Sequence, residues 1–155
     1  VEFSNWITIQ GRHDLLWWLF LLVFCNMNIE HIAIWCRDLE LMRSFYMQYF
    51  NAVSNELYIN EQKQYRSYFL SFESGARLEL MQMNTVVENL NATGSQYFGL
   101  NHFAFSTGSK TMVDELTSRL SEAGFKVLGE PRTTGDGYYE SVVLDPENNR
   151  IEITI

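Results

Sequence analysis

Four side chains carry the most direct chemistry that this sequence offers: His31, Glu79, His102 and Glu152. They lie in two repeated pieces. Ile29-Glu30-His31-Ile32-Ala33-Ile34 matches Leu100-Asn101-His102-Phe103-Ala104-Phe105, and Arg77-Leu78-Glu79-Leu80 matches Arg150-Ile151-Glu152-Ile153. The histidines are 71 residues apart and the glutamates 73, so the two halves run nearly in register. Imidazole nitrogens and carboxylate oxygens are the donors that a borderline divalent ion takes. Singly, each residue has a plainer reading, since a lone strand histidine is usually structural and a Glu alternating with Leu usually faces water. The joint repeat is what points to a metal.

The elements that must position these residues follow from pattern. Asp38 opens a helical stretch over Leu39 to Phe50, and Ser109 opens another over Lys110 to Ala123 that Gly124 closes. β-rich runs follow each: Asn55 to Ile59, Tyr65 to Phe72 and Arg77 to Met83, then Lys126 to Gly129, Tyr138 to Leu144 and Arg150 to Ile155. Both halves read βαβββ, with modules at 27–83 and 100–155 and a polar linker at 84–99. The fold class is α+β, and residues 27–155 form a single domain.

Strand parity sorts the side chains. Ile32 and Ile34 oppose His31, Ala33 and Trp35; Phe103 and Phe105 oppose His102, Ala104 and Ser106. Leu78 and Leu80 oppose Glu79, and Ile151 and Ile153 oppose Glu152. All four ionisable groups therefore avoid the apolar face on which a helix packs. On the face that a curved sheet encloses, partly desolvated imidazoles and carboxylates need a partner, and a divalent metal supplies one.

Composition limits the partners. Eleven Lys and Arg against 19 Asp and Glu give a net charge of −8, which argues against nucleic acid and anionic membrane surfaces. Two cysteines, Cys25 and Cys36, make no disulfide framework, and a cytoplasmic setting fits them. Residues 1–26 stand apart. Leu15 to Cys25 is uninterruptedly apolar but, at eleven residues, too short to span a bilayer of roughly 30 Å as a helix. Three readings stay open for this leader: upstream sequence before a natural start at Met27, a poorly formed export signal, or an apolar arm.

The repeat resembles the vicinal oxygen chelate superfamily, which includes glyoxalases, bleomycin-resistance proteins and dioxygenases, over Met27 to Ile155. The resemblance implies a half-open barrel of two tandem βαβββ modules around one divalent metal. The nearest pattern is glyoxalase I, in which the metal ligands carried over are His31, Glu79, His102 and Glu152, and a ligating glutamate serves as base, here Glu152 or Glu79. The implied activity is that of a metal-dependent lyase or isomerase moving a proton on a hemithioacetal or similar chelating substrate. Zinc, nickel, cobalt or manganese suits the donors. The implied assembly is a homodimer whose metal sites draw on both subunits. Two alternatives stand beside this: a metal-dependent acyl-CoA epimerase, and a metal-free protein that sequesters small molecules, like the bleomycin-binding relatives.

Departures from the family bear on the substrate. Trp35 stands where bacterial glyoxalase I has an Arg that contacts the glutathione carboxylate, and Met83 where it has an Asn used for glutathione. Both replace polar groups by apolar ones, so a thiol other than glutathione is expected. The segment Glu130 to Glu140, with Arg132, Thr133, Thr134 and Tyr138, reads either as a substrate loop at the barrel mouth or as a hairpin turned by Asp136-Gly137. Arg77 and Arg150 lie on the glutamate face, able to pair with Glu79, Glu152 or a substrate carboxylate.

Overall fold

A computed structural model describes residues 27–155, so all three readings of the leader concern residues outside the described part. The first module runs β1 (His31–Trp35), α1 (Leu39–Tyr49), β2 (Val53–Ser54), β3 (Tyr58–Asn60), β4 (Tyr65–Ser71) and β5 (Arg77–Met83). The second runs β6 (Phe103–Ser106), α2 (Lys110–Glu122), β7 (Val127–Thr133), β8 (Tyr139–Leu144) and β9 (Arg150–Thr154). Both helices begin as their sequences require. The Asp38 carboxylate accepts from the Leu41 N–H and the Ser109 hydroxyl from the Met112 N–H, each satisfying a donor that the first turn leaves open. Gly124, at φ 90°, ends α2 in the left-handed conformation that a side chain would strain.

Each module forms its own sheet, ordered β1-β5-β4-β2 with β3 also on β4, and β6-β9-β8-β7. The parallel pairings β1·β5 and β6·β9 put Ala33 opposite Glu79 and Ala104 opposite Glu152. His31 and Glu79 thereby share one face, as do His102 and Glu152. Two boundaries differ from the sequence reading. In place of one run at Asn55 to Ile59 there are two short strands, Val53–Ser54 and Tyr58–Asn60, on either side of Asn55, whose side chain accepts from the Phe69 N–H. The strand expected to stop at Gly129 continues to Thr133 through two register shifts against β8.

The two sheets do not close into a barrel. One apolar core unites the modules, and it lies on the faces opposite the histidines. Phe105 stacks on Phe50 at 4.5 Å between ring centres, Phe103 faces Tyr46 at 6.4 Å, and Phe125 meets Phe45 at 4.8 Å. Helix α1 is thus packed between its own sheet (Leu78 and Leu80, fully buried or nearly so) and the phenylalanines of β6. A polar staple joins the same elements. The buried Tyr46 hydroxyl donates to buried Asp145 at 2.9 Å, and the Glu147 carboxylate accepts from the backbone N–H of Arg37 and Asp38 just before α1. Among the described residues no helix is long and apolar enough to cross a membrane.

Candidate metal centre

The four sequence-selected ligands come together as two pairs, not as one cluster. His31 Nε2 lies 3.8 Å from Glu79 Oε2, and His102 Nε2 lies 3.3 Å from Glu152 Oε2. Among the described residues of one chain no group of three or more His, Cys, Asp or Glu could hold a metal. Within one chain the described His–Glu pairs therefore stay apart. The physical reason is the packing just described: burying Phe103 and Phe105 against α1 turns the two histidine faces to the outside of the shared core.

Each pair nevertheless has the character of a half-site. Two donors held about 2.0–2.2 Å from one ion lie roughly 3–3.5 Å apart, close to both observed separations. The rings are also oriented for ligation. His31 Nδ1 is 2.5 Å from Glu30 Oε2, and because an ionised carboxylate only accepts, the ring donates from Nδ1 and turns Nε2 toward Glu79. His102 Nδ1 stands 2.9 Å from Asn101 Oδ1 in the same way. Such an outer contact on the second nitrogen accompanies metal-ligating histidines. The residues present fit a divalent ion.

The two glutamates differ in their surroundings. Tyr65 on β4 donates its hydroxyl to Glu79 Oε1 at 2.8 Å, and this contact fixes the carboxylate. The Tyr65 hydroxyl itself is shifted upward by burial and by Glu79. Glu152 meets another carboxylate instead. The charge of Glu140, one strand away on β8, acts on it, and Glu140 pairs with Arg132 at 3.0 Å. Partial burial first, then the Glu140 charge, raise the Glu152 carboxyl above its ordinary range, against the opposing pull of His102 and Arg132. Tyr65, Glu140, Glu30 and Asn101 were not singled out from the sequence. The last two had a visible signal, a polar residue immediately before each repeated histidine.

The remaining sequence candidates are scattered. Trp35 and Met83 lie on the histidine face of the first sheet, and Trp35 stands edge-on to Tyr65. Both line a cavity of about 740 Å3 beneath the linker that reaches His102 but neither Glu79 nor Glu152, so it adjoins the pairs without containing them. Arg132 is a strand residue, not a loop residue, and its ion pair is with Glu140. Thr133 registers with Tyr139, whose hydroxyl bonds Asp114 of α2, and so belongs to the helix face. The Thr134 hydroxyl donates within the turn, to Asp136 at 2.5 Å, and Tyr138 stands exposed beside it. Arg77 pairs with Glu30, and Arg150 donates to the Gly94 carbonyl of the linker.

Paired βαβββ modules with a His and a Glu on the outer face of each sheet define a class of tandem-module α+β folds. The chain belongs to the Glyoxalase/Bleomycin resistance protein/Dioxygenase superfamily, whose sequence pattern it matches over residues 28–153. It is 40% identical over 58 residues to the uncharacterized protein YqjT of Bacillus subtilis (strain 168), a match covering 36% of this chain and 45% of that protein. Among solved structures, a glyoxylase/bleomycin resistance protein/dioxygenase domain from Frankia sp. EAN1pec superposes with a TM-score of 0.70 at 19% identity, covering 83% of this chain and 97% of that one. The trypanothione-dependent glyoxalase I of Leishmania major gives 0.64 at 19% identity, covering 83% and 86%. A possible glyoxalase from Bacillus cereus gives 0.60 at 25% identity, covering 83% and 99%.

Proposed function

We propose that the protein is a metal-dependent isomerase or lyase of the glyoxalase type, acting as a homodimer in which His31 and Glu79 of one copy join His102 and Glu152 of the other around one divalent ion. The observation that carries this reading is the split of the ligand set into two complete, oriented halves on two outward faces. A two-fold symmetric contact presents residue i of one copy to residue j of the other and the reverse, so it completes two centres per dimer at once. When bound, the ion neutralises the negative charge that develops on two adjacent oxygens of a chelating substrate.

The residues do the rest. Glu152 would take the proton from the hydroxyl-bearing carbon and return it to the adjacent carbonyl carbon while the hydroxyl proton passes to that carbon's oxygen, so the reaction is an isomerisation with no net proton released. Glu79, fixed by Tyr65, holds its place. Trp35 and Met83 give the substrate's thiol portion an apolar, aromatic surface in place of polar contacts. A hemithioacetal of a thiol other than glutathione fits that surface.

The test is elemental analysis joined to turnover. Protein reconstituted with zinc, nickel, cobalt or manganese should hold about one ion per chain, exchange the substrate proton with deuterated water, and isomerise hemithioacetals of methylglyoxal with some thiols better than with glutathione. Exchange with an acyl-CoA and with no hemithioacetal would move it to the epimerase reading. Ligand binding with no metal uptake would make it a sequestering protein.

A further inference from the structure

The two histidine half-sites are not equivalent beyond their first contacts. Around His31 the structure closes a ring of four residues. His31 Nδ1 bonds Glu30 Oε2 at 2.5 Å, and Glu30 Oε1 accepts from Arg77 Nε at 2.7 Å. The Arg77 guanidinium lies over the Phe69 ring at 4.2 Å, and Phe69 meets His31 edge-on at 5.4 Å. Main-chain pairing locks the same corner, since the Arg77 N–H donates to the Glu30 carbonyl at 2.9 Å.

The second module keeps only the first of these contacts, His102 Nδ1 to Asn101 Oδ1 at 2.9 Å, and does not close the ring. Asn101, a neutral amide, stands in place of Glu30, and Arg150, the repeat equivalent of Arg77, is turned away to the linker carbonyl of Gly94. The position opposite Glu152 that matches Phe69 opposite Glu79 is Val142, which offers no ring. A charged acceptor makes a stronger hydrogen bond than a neutral one and raises the basicity of the ligand it orients.

Resting on the metal reading above, we infer that Glu30, held by Arg77, is a positioning residue of the metal centre. It fixes His31 as the Nε2 donor and makes the His31–Glu79 half the one that grips the ion more tightly. Glu30 touches neither ion nor substrate and acts through His31. Its side chain is largely exposed, 62%, so its loss leaves the apolar core intact.

Glu30→Ala and Asn101→Ala, each as the full chain, supply the test. Competition with a chromophoric chelator should put the zinc or cobalt Kd of Glu30→Ala about 10–100-fold above wild type, and that of Asn101→Ala clearly below this change. Long-range proton–nitrogen spectra of the metal-free protein give a readout that a merely structural role would not move. Wild-type His31 should be the Nδ1–H tautomer, and Glu30→Ala should show a mixture. A Glu30→Ala Kd within about twofold of wild type, an unchanged His31 tautomer, or an equal loss in Asn101→Ala would each overturn the inference while leaving the metal centre standing. A wild type that binds no divalent ion would overturn both.

Discussion

Replacing Tyr46 by Phe removes one oxygen from the centre of the molecule and tests how the modules are joined. The Tyr46 ring is fully buried and packs between both modules, so phenylalanine keeps the apolar contacts and loses only the hydroxyl. That hydroxyl donates at 2.9 Å to Asp145, which is 3% exposed and also accepts from the Asn149 side chain and from the backbone N–H of Glu147 and Asn149. A hydrogen bond to a buried charged group contributes about 1.5–3 kcal/mol. For a chain of 155 residues that corresponds to a fall in Tm of roughly 3–12 °C. Urea unfolding followed by circular dichroism, at fixed protein concentration, should shift its midpoint without a change in slope. The pH dependence adds a sign. Burial raises the Asp145 carboxyl above its ordinary value, while the Tyr46 bond is among the contacts that lower it, so Tyr46→Phe raises it further. The native variant then binds more protons than native wild type within that window, and the stability gap widens as pH rises through it and narrows toward acid. A loss below about 0.5 kcal/mol, or a gap that widens toward acid, would refute the claim that this bond ties α1 to the β8–β9 loop.

Two further outcomes follow from the unequal glutamates. Glu152→Gln should keep much of the metal, because an amide oxygen still coordinates, but lose substrate proton exchange by about 10²–10⁴-fold, measured in deuterated water. Glu79→Gln should be milder in exchange, with its loss read mainly as weaker metal binding in chelator competition.

Much of this was legible in the residues themselves. The repeat, both helix caps, and the parity that sets His31, Glu79, His102 and Glu152 opposite the apolar face depend on local chemistry and period-two alternation, which a sequence displays directly. What was hidden depends on register and on packing between modules. Tyr65 reaches Glu79, and Glu140 reaches Glu152, only because of how β4 pairs with β5 and β8 with β9. Phe103 and Phe105 were placed on the correct face, but nothing in their spacing told that α1 of the other module would cover them. That one contact decides whether four ligands meet within a chain or separate into two pairs.

Subunit exchange addresses the shared centre most directly. His31→Ala and His102→Ala each damage every centre in their own homodimers. Mixed and allowed to exchange subunits, they form heterodimers in which one centre has lost both histidines and the other has kept both. The account predicts that tight metal binding and proton exchange, weak in each variant alone, return on mixing to about one intact centre per heterodimer. A mixture no better than its separate components, or either variant alone retaining wild-type metal affinity, would contradict it.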